Sequence, residues 1–170
     1  MAIRTIREFG DAVLTKKCKA VKEMTQRTEE LIEDMFETMA EAGGCGLAAP
    51  QVGILKQIVV IDVGEDPFVL INPKIVETAG EQCGQEGCLS LPGKVGQVTR
   101  PQYVKVTALD MDMQPIMVEG EDLLARALCH ECEHLEGVLY TEHVDGEVRD
   151  VAELADEDLM EEVGLEEVGE

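Results

Sequence analysis

The stretch Cys129-His130-Glu131-Cys132-Glu133-His134 sets two histidines four residues apart around a glutamate, and only a helix turns that spacing into a site. Residues i and i+4 share a helical face, so both imidazoles can converge on one metal ion while Glu131 projects beside them. That gives two ligands and a general base, the arrangement of a metal-dependent hydrolase. The surrounding residues predict the helix. From Glu121 to Leu135, the apolar Leu124, Leu128 and Leu135 and the small Ala125 and Ala127 recur near helical spacing with no proline. Glu121 and Asp122 suit the positive end of the helix dipole, and Gly137 supplies a stop. An ordinary amphipathic helix with two chance histidines is the competing reading. With three histidines in 170 residues, two of them at this spacing around a glutamate, the metal reading is stronger.

A catalytic metal takes three protein ligands and keeps a position for water, so a third donor is required. Downstream, His143, Glu147 and Glu153 are available, as in a zincin-like metallopeptidase. Upstream, Cys88 stands in the glycine- and proline-punctuated run Gln85-Glu86-Gly87-Cys88-Leu89-Ser90-Leu91-Pro92. Spacing alone leaves both directions open. Cys129 and Cys132 point to other faces of the histidine helix, which argues against a Cys-x-x-Cys site. With Cys18, Cys45 and Cys83 they read as small buried or half-buried reduced thiols. Arg126, four residues before His130 on the same face, reads as solvated or ion-paired.

Elsewhere the pattern is that of an α+β domain. A first helix is opened by Thr25 or Thr28, carries the stripe Leu31, Ile32, Met35, Phe36 and Met39, and ends at Gly43-Gly44. Strands are expected at Ile58 to Asp62, Phe68 to Asn72, Tyr103 to Leu109 and Ile116 to Glu119, with a turn from Asp110 to Pro115. Two helices flanking antiparallel strands would bring the loop Gly44 to Gln51 beside the histidine helix. Gly44 and Gly46 there permit positive φ or close approach of backbone to a ligand. At 45% hydrophobic, residues 1–150 are expected to form one catalytic domain, followed by a part-helical acidic segment, residues 151–170, with Leu154, Leu159 and Val163 as possible contacts.

The formal net charge is −22, and residues 127–170 hold sixteen acidic side chains against the single Arg149. Such a surface disfavours DNA or RNA binding through a basic stripe. No stretch approaches twenty consecutive apolar residues, and the N-terminus lacks the apolar core of a signal peptide, so a cytoplasmic, non-membrane protein is expected.

Three separated motifs give the chain a resemblance to the peptide deformylases: Gly44-Cys45-Gly46-Leu47-Ala48-Ala49-Pro50-Gln51, Glu86-Gly87-Cys88-Leu89-Ser90, and His130-Glu131-Cys132-Glu133-His134. The resemblance implies antiparallel strands packed around a central metal-binding helix, with Cys88 completing the ligand set of His130 and His134. It implies one divalent ion, Fe2+ in the cell, with Zn2+, Ni2+ or Co2+ possible in purified protein. It further implies removal of the formyl group from N-formylmethionyl nascent polypeptides by a monomer. Glu131 would move the water proton, the Gln51 amide and Leu89 backbone N–H would stabilise the oxyanion, and main chain at Cys45, Gly46 and Gly87 would pair with the substrate. Gly44 and Arg100 are further substrate-binding candidates, Arg100 near the mouth of the methionine pocket. Two departures stand out: Glu133 replaces the family's usual Asp, and Cys129 a common Gln. Many relatives end in a basic helix that sits on the ribosome. Here the end is acidic, so any ribosome proximity is expected to be transient and not through that helix.

Overall fold

The computed structural model describes residues 2–152; the readings placed on Glu153, Leu154, Leu159 and Val163 lie outside them. The run Ile58-Val59-Val60-Ile61 dictates the layering. Successive strand residues face opposite ways, so a strand that is apolar at every position needs cover on both faces. All four residues are buried. Ile58 and Val60 pack with Leu31, Ile32, Met35 and Met39 of α1 (Gln26–Ala42), while Val59 and Ile61 join the cluster holding Ala125, Leu128 and Leu135 of α2 (Asp122–Leu135).

The strand they belong to lies in a five-stranded antiparallel sheet. In chain order its strands are β1 (Gly46–Ala48), β2 (Ile58–Ile61), β3 (Phe68–Ala79), β6 (Tyr103–Leu109) and β7 (Pro115–Glu121), and that is also their spatial order. A second sheet, ordered β4-β5-β8, contains β4 (Gln82–Cys88), β5 (Leu91–Arg100) and β8 (Arg149–Asp150). Helix α2 packs against the larger sheet and reaches β5 of the smaller one. Both helices begin and end close to where the sequence places them. Thr25 is the N-cap of α1, its Oγ1 accepting from Thr28 N–H at 3.2 Å, and Gly43 closes it in the left-handed conformation at φ 69°.

Three expectations need correction. β3 does not stop at Asn72. That residue takes φ 52°, the ladder to β6 shifts register between Ile71 and Lys74, and pairing then resumes to Ala79. The bulge is pinned because the Asn72 amide bonds both main-chain groups of Val21 at 2.8 Å. The hairpin β4–β5 is an addition to the expected strands: β4 has no β-branched residue, and glycines interrupt the pattern in both strands, so neither carries a clear strand signal. The segment expected as a loop, Gly44 to Gln51, contains β1 and the start of a 3-10 turn, Ala49–Val52.

The N-terminal segment straps these parts together. Asp34 accepts from Ala2 N at 2.7 Å and from Arg4 Nε at 2.9 Å, Arg7 N donates to Gln51 O at 2.7 Å, and Phe9 N donates to Ser90 O at 2.9 Å. Because Leu70 is fully buried under α2 whereas Met117 is 57% exposed, truncating each to alanine should have unequal cost. Leu70→Ala is expected to lose about 2–5 kcal/mol and Met117→Ala under about 0.5 kcal/mol, read from urea unfolding midpoints.

Candidate metal centre

Along α2 the predicted face forms. His130, Glu131 and His134 are all buried, and His134 Nε2 lies 3.2 Å from His130 Nε2. β4 delivers the third donor. Its burial alternates along Gln82, Gly84, Glu86 and Cys88, so Glu86 and Cys88 face the helix together. Cys88 Sγ sits 3.3 Å from His134 Nε2, and the three donor atoms all lie within 4.8 Å of one another. Ligands about 2.0–2.3 Å from one tetrahedral ion stand roughly 3.3–3.8 Å apart, so the spacing suits a metal. One thiolate and two imidazoles also form a coherent donor set. Among the described residues this is the group able to hold an ion. Of the downstream donors, His143 turns to Glu133 at 3.2 Å and Glu147 lines a separate outer cavity with Gly96 and Arg149.

Glu86 organises the centre. Its Oε1 meets His130 Nδ1 at 2.5 Å and Arg100 Nη2 at 2.6 Å, and its Oε2 accepts from Arg100 Nε at 3.1 Å and Arg126 Nη1 at 2.8 Å. Engaging Nδ1 turns His130 Nε2 towards Cys88 and His134. Burial alone would raise the Glu86 pKa, but the bonds from His130 and Arg100 outweigh it and bring the carboxyl to about 2. Burial likewise opposes charge on His130, yet its bonds to Cys88 and Glu86 and the charge of Glu131 hold it well above the usual imidazole range. For His134, burial and then the neighbouring His130 charge act together to hold the ring neutral, the form that ligates.

Glu131 completes the inner arrangement. Burial pushes its carboxyl up to about 7, with the His130 charge acting against that shift, and Oε1 stands 3.8 Å from His130 Nε2. Its Oε2 is buried without a partner in the protein. Gly46 makes room for it. A Cβ at that position would come 2.8 Å from Glu131 Cγ, so the glycine serves close approach to the carboxylate rather than a positive φ. Gly44 has the same function towards Leu89, whose Cδ1 would be 2.6 Å from an added Cβ. Gln51 is buried and fixed at both ends: Oε1 accepts from Ala48 N at 2.9 Å, and Nε2 donates to Ser90 Oγ at 3.1 Å and reaches Cys88 Sγ at 3.5 Å.

A cavity of about 590 Å3 opens over these groups, lined by Gly44, Cys45, Gly46, Gly87, Cys88, Leu89, His130 and Glu131 among others. Arg100 is not on it. Expected at a pocket mouth, it lies 4% exposed behind the centre, because Glu86 and Glu133 claim its guanidinium; Glu133 Oε1 accepts from Nη1 at 2.6 Å. The longer Glu133 thus keeps an internal partner. Cys45 and Cys83 are exposed rather than half-buried, and all six cysteines are free. Two residues of the site escaped the sequence reading. Glu86 stands in the Cys88 motif with no role attached, although its two-residue spacing from Cys88 shares a strand face, and Tyr140, which no motif marks, stacks on His130 with centroids 5.7 Å apart.

Fold and site together define a small α+β hydrolase built on a His-Glu-x-x-His helix with a strand cysteine as third donor. Residues 3–150 match the family model described as Polypeptide deformylase. A peptide deformylase of Lachnoclostridium phytofermentans is 58% identical over 161 residues, covering 93% of this chain and 99% of that protein. One of Agathobacter rectalis is 62% identical over 151 residues, covering 89% and 96%. Among solved structures, a Synechococcus elongatus peptide deformylase in complex with actinonin superposes with TM-score 0.81 at 44% identity, over 83% of this chain and 78% of that one. A Legionella pneumophila peptide deformylase gives 0.82 at 41%, over 84% and 86%. The chain belongs to the peptide deformylase family.

The depressed Glu86 pKa fixes the sign of an acid effect. Lying below its unfolded value, it contributes stability that is complete above pH 4.5 and is lost as pH falls towards about 2. Urea midpoints are expected to drop across that window. Glu86→Ala, which leaves two buried guanidinium groups without this partner, should cost roughly 3–5 kcal/mol at neutral pH.

Proposed function

We propose that the chain hydrolyses the formyl amide of N-formylmethionyl nascent polypeptides, releasing formate and a free α-amine. The observation that carries this is the convergence of the Cys88, His130 and His134 donor atoms behind one cavity, which Cys88, His130 and Glu131 line and two sheet-edge strands border. β1 and β4 each end their sheet, so both present an unpaired edge. A nascent chain lies extended along these edges as an added strand, paired with the main chain of Cys45, Gly46 and Gly87, its first side chain in the cavity.

Cys88 from β4 with His130 and His134 from α2 would hold one divalent ion, Fe2+ in the cell, with Zn2+, Ni2+ and Co2+ also compatible with this donor set. When bound, such an ion supplies Lewis-acid activation of water near neutral pH. Glu131 takes the proton released as the water oxygen bonds to the formyl carbon, and delivers it to the amine as the C–N bond breaks. Its carboxyl, raised by burial to about 7, can both accept and return that proton. The Gln51 amide, held by Ala48 and Ser90, and the Leu89 backbone N–H donate to the developing oxyanion. No helix among the described residues is long and apolar enough to cross a membrane, and we place the chain in the cytoplasm as a monomer acting on emerging polypeptides.

Formate release from a formyl-Met peptide tests the assignment. Glu131→Gln is expected to lower kcat by at least about 100-fold, and Cys88→Ala to abolish both turnover and stoichiometric metal retention; a Cys88→Ala protein that keeps its metal would point back to a downstream ligand. Since Glu131 must be ionised to accept a proton, kcat/KM should rise with pH and level off at or below about pH 7, any cation at the three ligands favouring the carboxylate. Enzyme prepared in air should lose activity and the Ni2+ or Co2+ form keep it, measured side by side; equal activity of an air-exposed Zn2+ form would count against Fe2+.

A further inference from the structure

Arg126, like Gln85 and Lys94, is a polar element of the cavity wall to which the reaction gives no task, and of the three it alone stands on the face of α2 that carries His130. Leu123, Arg126, Ala127, His130 and Glu131 all line the cavity and recur every three or four residues, one face of α2. At ~1.5 Å rise per residue, Arg126 lies about 6 Å before His130 along the helix axis, within reach of an unbranched side chain attached beside the scissile amide. The apolar part of the wall is formed by Leu89, Leu91, Leu123 and Ala127, and Glu86, the partner of Arg126, lines the cavity as well. A charged side chain in such a wall is there at a desolvation cost, so its partners matter.

Arg126 is 8% exposed. Nη1 donates to Glu86 Oε2 at 2.8 Å, and Nη2 makes a long bond to Gln82 Oε1 at 3.4 Å. A guanidinium carries five N–H donors, so more are present than these two acceptors use. Strand β4 leaves room for the group: a Cβ at Gly84 would stand 3.3 Å from Nη2. Glu86 compensates the positive charge without occupying the whole donor fork.

Building on the deformylase reading, we propose that Arg126 is a specificity-determining residue that extends the substrate range from methionine to unbranched first side chains bearing a neutral acceptor oxygen on the δ atom. Methionine sulfoxide is that class, and glutamine, with its oxygen also on the δ atom, is its isostere. A thioether sulfur is only a weak acceptor, whereas a sulfoxide or amide oxygen accepts a full hydrogen bond from guanidinium N–H. The adjoining Glu86 carboxylate repels an anion, so glutamate is excluded. Oxidation of the initiating methionine, which converts a thioether to a sulfoxide, therefore leaves the formylated chain processable.

The test compares kcat/KM for N-formylated tripeptides that differ only at the first residue: norleucine, methionine, methionine sulfoxide, glutamine and glutamate. The readout is each peptide's ratio to norleucine within one enzyme preparation, which cancels differences in folded or metal-loaded fraction. The parent is expected to process the sulfoxide and glutamine peptides within about tenfold of norleucine and to reject glutamate. In Arg126→Met both ratios should fall by about tenfold or more, with Arg126→Lys intermediate. Unchanged ratios in Arg126→Met, or a parent that cleaves norleucine but neither oxygen-bearing peptide, would overturn the role of Arg126. Failure to cleave even the norleucine and methionine peptides would instead overturn the deformylase reading on which it rests.

Discussion

A carboxylate taken out of water must be neutralised by a proton or surrounded by donors, and Glu86 follows the second course. Its two oxygens receive His130, Arg100 twice and Arg126. The four residues come from three elements: His130 and Arg126 from α2, Arg100 from β5, and Glu86 itself from β4. One buried charge therefore ties the smaller sheet to the helix of the larger layer. The same charge fixes the face of His130 that looks towards Cys88. Fold and centre share this interaction, so the three donor atoms are held where a metal needs them by the contact that also joins the two sheets.

The network runs outward from there. Arg100 passes to Glu133, and Glu133 to His143 in the 3-10 turn Tyr140–His143. From α2, Glu133 accepts from Arg100 of β5 through Oε1, while its Oε2 stands 3.2 Å from His143 Nε2 in the turn. The glutamate that departs from the family's usual aspartate keeps the Arg100 ion pair and also reaches the turn.

Access to the centre depends on what is small and what is unpaired. Gly46 lets β1 approach Glu131, Gly44 lets the end of α1 approach Leu89, and both strands bordering the cavity are sheet edges. An exposed strand edge is ordinarily an aggregation hazard. Here β1 is three residues long, both edges lie beside a cavity with a charged floor, and the N-terminal strap bonds Gln51 and Ser90 just past their ends. The Glu131 carboxylate is thereby buried in the protein while remaining on the cavity wall.

The sequence by itself determined the elements whose signal is local. A Thr cap and a glycine stop bounded α1, the His-Glu-x-x-His spacing required α2, and the apolar Ile58 to Ile61 run required a strand covered on both faces. The pair His130 and His134 with Glu131 was legible from spacing alone, whereas Cys88 stood out only through the resemblance, because a donor on another element leaves no spacing signal. Only the tertiary structure decided what depends on partners distant in the chain. β4 and β5 carry too little strand propensity to be read, yet they pair because their alternate residues bury Glu86 and Cys88 against α2. β3 runs past Asn72 because Val21, fifty-one positions away, satisfies that amide. Arg100, expected at a pocket mouth, and Arg126, read as solvated or ion-paired, become a buried brace and a cavity residue according to which oxygens of Glu86 and Glu133 reach them. Charge pairing across the fold leaves no periodic trace in one sequence, so it becomes visible only once the chain has brought the partners together.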